Sequence, residues 1–332
     1  MGELRWLLER LPRVSYAVAY GSAVMKQKGY KGSNMVDYIF AIENAAEWHT
    51  ENWKRNGLRH YSMLGMLGGE SLYRIQEVGA GVYFNVPSPD DGRKTKYAVI
   101  SKSRLCSELR EWKNLYISGR LQKPVETLVY DEDVESANQQ NLRNALATAL
   151  LLLPEKFDQN LLYTTISAIS YTGDPRMGAG EHPDKPKQIA EGQIERFQSL
   201  YQPAVDEHAG NLTVVQSSGH PSTLQFEQDT SPMRRAALFT QLPQEILSRA
   251  ARRCGLSSQG EMMPMEAQRQ ELMTAISRKP DIVHDLLQDG ISSIVTPAAK
   301  AQMIKGVFSF GLSTSVLYVM MLLSVISQKP HA

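Results

Sequence analysis

The chain has 332 residues, which is enough for about two domains, each with its own hydrophobic core. Its 36 basic and 35 acidic side chains leave a net charge of +1, and this balance argues against a protein that binds nucleic acid. Two cysteines, Cys106 and Cys254, are too few for a disulfide framework and stand in no zinc-binding pattern. We therefore expect a reducing compartment and no zinc site.

The first 130 residues alternate helical and strand patterns, which predicts a domain that contains both helices and a sheet. The predicted elements are, in chain order, a helix over 3–11, a strand over 16–20, a helix over 22–28, a strand over 35–42, a helix over 44–55, a long helix over 60–78, strands over 81–87 and 96–101, and a helix over 103–116. The run Asp90-Asp91-Gly92 predicts a hairpin turn between the last two strands.

The rest of the chain has mainly helical patterns. Residues 131–201 are predicted helical, with a break at Pro154 and a loop at 183–186. Residues 202–233 are rich in Ser, Gly, Pro, Asn and Gln, which predicts a linker with two short strands, and helix resumes over 235–328.

One stretch near the C-terminal end carries no charge from Gly306 to Ser327. It is long enough to span a bilayer. Three alternatives are a helix that lies on the membrane, a helix that spans it and a helix packed in a soluble core. We prefer the first.

The most informative local pattern is Gly21-Ser22 after one apolar run, followed by Asp37 inside a second apolar run. This layout is typical of a nucleotidyltransferase core. A glycine lets the backbone approach a phosphate, while Ser22 and the amides of a following helix favour a polyanion. Asp37 can hold Mg²⁺, which takes carboxylate and phosphate oxygens together. The alternatives are an ordinary tight turn and a structural strand acid.

One position departs from that layout. Most enzymes of the nucleotidyltransferase superfamily have a second acid two residues after the first, and here that position is Ile39. Either the metal is held differently or the site is inactive.

Longer blocks in chain order closely resemble the mitochondrial phosphatidate cytidylyltransferase family. The most extended block reads Trp112-Lys-Asn-Leu-Tyr-Ile-Ser-Gly-Arg-Leu-Gln-Lys-Pro124. The other blocks lie at 37–42, 47–49, 60–62, 79–85, 96–101, 149–156, 170–177, 294–297 and 305–306. The absence of an acid at position 39 is also a feature of the family that these blocks resemble.

This resemblance implies an enzyme that makes CDP-diacylglycerol and pyrophosphate from CTP and phosphatidic acid, with Mg²⁺, for phosphatidylglycerol and cardiolipin synthesis. It implies a location on the matrix side of the inner mitochondrial membrane, at the membrane surface. It is also compatible with a homodimer. The implied fold is α+β: a nucleotidyltransferase domain with a mixed sheet over 1–130, a winged-helix-like domain and linker over 131–233, and a helical C-terminal region over 234–332 with a membrane-contact segment at 306–327.

The resemblance and the charges together suggest roles for particular residues. We expect the catalytic groups to be Asp37, which also holds the metal, and the cations Lys96, Arg120 and Lys123. The expected nucleotide-binding residues are Tyr20, Gly21, Ser22 and Gln27, and the expected substrate-binding residues are Tyr171, Asp174 and Arg176. The alternative for the cations is a solvated surface, and for Asp174 and Arg176 it is an ion pair that fixes a turn.

His49 and His60 could act as general bases, but a phosphate nucleophile is already ionised and barely needs one. We interpret His49 as a packing residue beside Trp48. Two other functions compete with the cytidylyltransferase. One is a non-catalytic assembly factor of the inner mitochondrial membrane with a degenerate nucleotidyltransferase fold, and the other is nucleotidyl transfer to RNA or protein.

Overall fold

The computed structural model describes residues 2–25, 35–88, 94–177, 180–215, 224–256 and 264–309. It is an α+β structure with a mixed five-stranded sheet and a smaller antiparallel sheet of three strands. The strands of the larger sheet are β1 (Tyr16–Tyr20), β2 (Met35–Ile42), β3 (Tyr83–Asn85), β4 (Lys94–Ser101) and β5 (Glu126–Val129). The strands of the smaller sheet are β6 (Lys156–Asp158), β7 (Leu212–Val215) and β8 (Gln225–Gln228).

Helices make up most of the remaining described chain. They are α1 (Gly2–Arg5), α2 (Ala45–Asn56), α3 (Gly69–Glu77), α4 (Lys102–Glu111), α5 (Ser118–Leu121), α6 (Glu132–Leu152), α7 (Gln159–Ile169), α8 (Lys185–Gly192), α9 (Ile194–Glu207), α10 (Pro232–Phe239), α11 (Gln244–Arg253), α12 (Met265–Arg278) and α13 (Ile282–Ser309). Short 3-10 helices occupy Leu8–Arg10, Gly57–Arg59 and Met63–Leu67.

The larger sheet has the strand order β3-β4-β2-β1-β5, in which β2 and β4 are parallel and the other pairs are antiparallel. Both faces of the sheet are covered. Successive side chains of a strand point to opposite faces, so Ile39 and Ala41 pack towards α4 and α6, whereas Tyr38 and Phe40 pack towards α2. A core on each face fixes the strand register, because a slip by one residue would exchange the two faces.

A separate, larger core joins helices α6 to α13 with the smaller sheet. The last described helix, α13, also contacts the larger sheet. Ala298 packs in the core beneath that sheet, and Lys305 donates to the carbonyl oxygens of Gln76, Val78 and Val82 at 2.6–3.1 Å. Helix α13 therefore ties the helical part of the chain to the sheet.

Most predicted elements of the first 130 residues are confirmed. The strands 16–20 and 35–42 match β1 and β2, and the helix over 44–55 matches α2 within one residue. The predicted hairpin turn at 90–92 lies outside the described residues, as do residues 26–28 of the predicted helix over 22–28. The described part of that helix, residues 22–25, forms a turn instead, in which the Gly21 carbonyl oxygen accepts hydrogen bonds from the Val24 and Met25 amides. The strands β3 and β4, which that turn would join, do pair antiparallel.

The long helix predicted over 60–78 is wrong. The segment contains the 3-10 helix Met63–Leu67 and then α3. Ser62 begins the 3-10 helix by accepting a hydrogen bond from the Leu64 amide, and Gly68 ends it with φ at +82°. A left-handed residue cannot continue a right-handed helix, so the segment divides there.

Three further boundaries differ from the predictions. The helix over 103–116 ends at Glu111, because Trp112 adopts a left-handed conformation and closes α4. The helix over 3–11 is divided between α1 and the 3-10 helix Leu8–Arg10. In the region 202–233 the two predicted short strands are present as β7 and β8, but α9 continues to Glu207 and the partner strand β6 was not predicted.

The membrane-contact segment predicted at 306–327 lies outside the described residues except for its first four, which continue α13. Within the ranges given above, no helix combines the length and apolar character that crossing a bilayer requires.

Candidate active site

A single cavity of about 270 Å³ brings together the predicted site residues. Its walls include Tyr20, Gly21, Ser22, Asp37, Lys96, Arg120, Lys123, Tyr171, Asp174 and Arg176. Gln27 is the one predicted site residue that lies outside the described residues. Residues from positions 20 to 176 thus meet in one place.

The turn after β1 runs directly beside Asp37. Gly21 has a φ of +88°, and its carbonyl oxygen accepts hydrogen bonds from the Val24 and Met25 amides at 3.1 and 2.8 Å. A β-carbon at Gly21 would lie 2.8 Å from Oδ2 of Asp37, closer than such atoms approach in proteins. Glycine is therefore required here both for the backbone conformation and for the space next to the carboxylate.

Asp37 lies on β2 between two neighbours that also line the cavity. It pairs with Tyr20 on β1 and with Lys96 on β4. Burial raises the pKa of the Asp37 carboxyl above its usual range, and the positive charges of Lys96 and Arg120 lower it part of the way back. Ile39, two residues further along the same face, is fully buried in the core, so it leaves Asp37 without a neighbouring strand acid.

The segment after α4 supplies an aromatic ring surrounded by cations. The Arg120 guanidinium lies 4.1 Å from the centroid of the Tyr116 ring and donates to the Tyr116 carbonyl oxygen, and Arg176 lies 5.9 Å from the same ring. Burial by itself raises the pKa of Tyr116, but the charges of Arg120, Arg176 and Lys96 outweigh burial and leave that pKa below its ordinary value. The cavity is therefore strongly electropositive around Tyr116.

Lys123 stands at the end of the same segment. Its ammonium donates to the Gly119 carbonyl oxygen at 2.6 Å and to Oγ of Ser170 at 3.0 Å. Burial, and then the charges of Arg120 and Lys185, lower the pKa of Lys123 to about 7. An anion bound in the cavity would favour the charged form of this lysine.

Asp174 and Arg176 form an ion pair within the turn that follows α7. The guanidinium donates from Nε to Oδ1 at 3.0 Å and from Nη2 to Oδ2 at 2.6 Å, and the Arg176 amide also donates to Oδ1. Only 2% of the Asp174 side chain is exposed, against 19% for Arg176. This geometry matches the turn-fixing ion pair that the sequence allowed, and both members of the pair line the cavity.

Several cavity residues were missed by sequence reasoning. Tyr116 stands four residues before Arg120 in the same block, and a cation–aromatic pair at that spacing could have been expected. Lys185 and Glu181 form an ion pair at the cavity wall. Lys185 was assigned to a loop because of its flanking prolines, whereas Pro186 lies in the first turn of α8, where proline is well tolerated.

The far end of the chain was missed as well. Val295 and Ala299 of α13 line the cavity, and Thr296 donates to the Gly173 carbonyl oxygen at 2.6 Å. Apolar residues on a C-terminal helix carry no local sign that they reach a site built around Asp37 on the larger sheet. Only the packing of α13 in the folded structure shows that these residues line the cavity.

The two histidines lie in the core away from the cavity walls. His49 hydrogen-bonds to the Tyr61 hydroxyl at 2.8 Å and to Gln76, and His60 to the Tyr97 hydroxyl at 2.8 Å. Burial lowers the pKa of each histidine to about 4, so both are neutral near physiological pH. Their geometry supports a packing role.

The donor set in the cavity can be compared with the needs of Mg²⁺. Across the described ranges, no three His, Cys, Asp or Glu side chains form a group that could enclose a metal. Of the acids that line the cavity, Asp174 pairs with Arg176 and Glu181 with Lys185, while Asp37 faces the space left by Gly21. Mg²⁺ commonly uses one or two carboxylates and completes its shell with water and substrate phosphates, so Asp37 fits a site that the nucleotide completes.

Comparison with known proteins agrees with these features. A family model described as phosphatidate cytidylyltransferase, mitochondrial, matches residues 4–324. Proteins with that same name include one from Drosophila melanogaster, 37% identical over 329 residues that cover 93% of each chain. The protein from Bos taurus is 36% identical over 321 residues, or 95% of this chain and 91% of the relative. The protein from Dictyostelium discoideum is 33% identical over 365 residues, or 94% of this chain and 82% of the relative.

Each of these matches extends over both sheets and the helices between and after them. With identities of 33–37% and a family model that matches residues 4–324, the chain belongs to the mitochondrial phosphatidate cytidylyltransferase family.

Proposed function

We propose that this chain transfers the cytidylyl group of CTP to phosphatidic acid, forming CDP-diacylglycerol and pyrophosphate. One observation supports this most directly. The Asp37 carboxylate, the Gly21–Ser22 turn and the cations Lys96 and Arg120 line the same cavity, in a chain whose relatives are named for this reaction. The alternative of a non-catalytic scaffold is not favoured, since the cavity has the charges that a polyanionic substrate requires.

The triphosphate of CTP would lie against the Gly21–Ser22 turn. Gly21 exposes backbone amides to a phosphate, and the Ser22 hydroxyl can donate to a phosphate oxygen. Mg²⁺ held by Asp37 would neutralise part of the triphosphate charge. Lys96 and Lys123 supply further positive charge at the same cavity, within reach of the leaving pyrophosphate.

The chemical step is an in-line displacement. A phosphate oxygen of phosphatidic acid forms a bond to the α-phosphorus of CTP, and the bond from that phosphorus to the bridging oxygen of the β-phosphate breaks. The attacking oxygen is already ionised, so the step needs no general base. The chain's task is to hold two anions together, and Arg120 and Arg176 beside Tyr116 suit that task because guanidinium groups bind phosphate bidentately.

The setting of the enzyme follows from the same proposal. Phosphatidic acid is a membrane lipid, so the protein would work at a membrane surface, with the uncharged run 306–327 as the contact. The names of the relatives include the word mitochondrial. We extend this to the matrix side of the inner membrane and to phosphatidylglycerol and cardiolipin synthesis. A homodimer and the absence of nucleic-acid binding remain predictions.

The finer domain division is part of the proposal too. The small sheet β6-β8-β7 packs with α6, α7 and α9 into one core, an arrangement that supports a winged-helix-like unit after residue 130. Helix α13 returns to the larger sheet, so the C-terminal region 234–332 would serve both units.

A direct assay tests the activity. The purified chain is incubated with CTP, Mg²⁺ and vesicles of phosphatidylcholine that contain phosphatidic acid, and CDP-diacylglycerol and pyrophosphate are measured together. We expect equal amounts of both. Vesicles with diacylglycerol in place of phosphatidic acid should give neither, because that lipid lacks the attacking phosphate. A folded protein that binds CTP but forms no lipid product would refute the proposed reaction.

A further inference from the structure

One buried side chain outside the cavity contacts the segment 112–123 at its start, middle and end. Oδ1 of Asn141, on α6, accepts hydrogen bonds from Nε1 of Trp112 at 2.8 Å and from Nε2 of Gln122 at 3.1 Å. Nδ2 of Asn141 donates to the Ser118 carbonyl oxygen at 3.0 Å and to Oδ1 of Asn138 at 3.1 Å. Asn141 is fully buried, so all four hydrogen bonds form away from water.

The segment that Asn141 holds carries much of the cavity wall. Asn114, Tyr116, Arg120 and Lys123 all line the cavity and all belong to residues 112–123. Asn141 itself is not among the lining residues. An effect of Asn141 on bound substrate would therefore act through the segment.

The segment also has a backbone that needs support. Trp112 and Leu115 are non-glycine residues with φ of 55° and 56°, in the left-handed region that bulky side chains rarely adopt. Both side chains are buried in the core of the helical part. Residues in such conformations persist only where the surroundings hold them, and they occur often at functional sites.

We propose that Asn141 is a positioning residue for cytidylyl transfer, which fixes the segment 112–123 so that Arg120 and Lys123 face the substrate phosphates. This rests on the proposed function. Loss of the Asn141 amide would leave the Trp112 indole N–H and the Ser118 carbonyl oxygen buried without these partners. The segment would then relax, and the two cations would lose their shared orientation.

The same helix offers a matched control. Asn144 lies one turn further along α6, is 4% exposed, and accepts a hydrogen bond from Nε2 of Gln140 at 2.9 Å. None of the hydrogen bonds described for its side chain reaches the segment. Asn141→Ala and Asn144→Ala therefore remove the same group from similarly buried positions.

The test combines kinetics with hydrogen–deuterium exchange on the full chain, at a temperature where circular dichroism shows every variant folded. We expect Asn141→Ala to lower kcat/KM by about tenfold or more, and Asn144→Ala by about twofold at most. Amides of 112–123 should exchange faster in Asn141→Ala only. In an Arg120→Lys background, Asn141→Ala should have a much smaller effect, because Asn141 is proposed to act by orienting the Arg120 guanidinium, which that background lacks.

A second variant covers the case in which Asn141→Ala does not fold. Asn141→Asp keeps the volume and the acceptor for Trp112 but replaces the donor to Ser118 with an acceptor, and the same exchange and kinetic changes are expected. Unfolding of both variants, or an equal loss of activity in both Arg120 backgrounds, would make Asn141 a purely structural residue and overturn the proposal. A wild-type protein that forms no CDP-diacylglycerol would instead refute the proposed function.

Discussion

The backbone of Gly21 passes so close to Asp37 that a β-carbon on the glycine would lie 2.8 Å from Oδ2 of the carboxylate. The two residues are neighbours across the β1–β2 ladder, in which Asp37 pairs with Tyr20. The space that the glycine leaves open is therefore the space in front of the carboxylate.

Gly21→Ala should consequently inactivate the enzyme and destabilise it. The positive φ of Gly21 alone costs an alanine about 1–2 kcal/mol, and the methyl group would displace the Asp37 carboxylate. Thermal unfolding and kcat are the measurements. Gly68→Ala is the control, because Gly68 has a φ of +82° with nothing within 4 Å of an added β-carbon. Equal loss of activity in both variants would contradict a specific role for the space at Gly21.

Asp37→Asn should abolish turnover and leave the protein folded. The carboxylate is the metal ligand of the proposed reaction, and its loss removes several kcal/mol of charge stabilisation, or about a thousandfold in rate. Burial already raises the pKa of this carboxyl, so a neutral amide is tolerated at the same position. Circular dichroism and CDP-diacylglycerol formation are measured together. Substantial cytidylyl transfer by the folded variant would contradict the assignment of Asp37 as the metal ligand.

Ser22→Ala should raise the KM for CTP by about tenfold or more, since a hydrogen bond to a charged group contributes about 1.5–3 kcal/mol. The KM for phosphatidic acid serves as the internal control and should change little, because Ser22 is proposed to contact the nucleotide. A variant with an unchanged KM for CTP and a raised KM for the lipid would reverse the assignment of the two substrates within the cavity.

CTP binding should take up protons at about pH 8, where Lys123, with its pKa lowered to about 7, is mostly neutral. The bound triphosphate favours the ammonium form, so the pKa of Lys123 rises on binding and a proton is taken from the solvent. The affinity for CTP should therefore fall as the pH rises above 7. Calorimetry in two buffers that differ in ionisation enthalpy measures the uptake. Lys123→Met should lower it, and equal binding heats in both buffers for the wild type would contradict the prediction.

Removal of residues 310–332 should abolish co-sedimentation with phosphatidate vesicles and retain CTP binding. The cut is placed after α13 because Lys305 is buried and binds three carbonyl oxygens, so it belongs to the folded part. A carbonate wash of the full chain distinguishes a helix that lies on the membrane, which is extracted, from one that spans it. Precipitation of the truncated protein or loss of CTP binding would place the segment in the soluble core.

Local patterns were sufficient to predict β1, β2 and the carboxylate that β2 carries. The strands β1 and β2 were predicted because each is a short apolar run bounded by polar residues, and Asp37 was recognisable as a carboxylate within such a run. Lys96, Arg120 and Lys123 were selected because the family resemblance implies a triphosphate and a lipid phosphate as substrates, which together need several cations. The structure brings all of these residues into one cavity.

Features that depend on packing between distant segments could not be predicted. The left-handed Trp112 ended a helix that periodicity extended to residue 116, and its conformation depends on a core formed by helices later in the chain. Val295 and Ala299 reach the cavity only because α13 folds back across the larger sheet. The strand β6 was missed because it has three residues, too few for an alternating pattern.

The return of α13 to the larger sheet has a consequence for any attempt to divide this protein. The cavity takes walls from β1, β2 and β4, from the segment after α4, from α8 and from α13, which is the last described helix. A recombinant fragment with the first 130 residues would contain Asp37 and Lys96 but would lack Arg176, Lys185 and the α13 wall. If this fragment and a second one with the rest of the chain are mixed, we expect CTP to bind only after the two have associated. Recovery of CTP binding therefore measures their association.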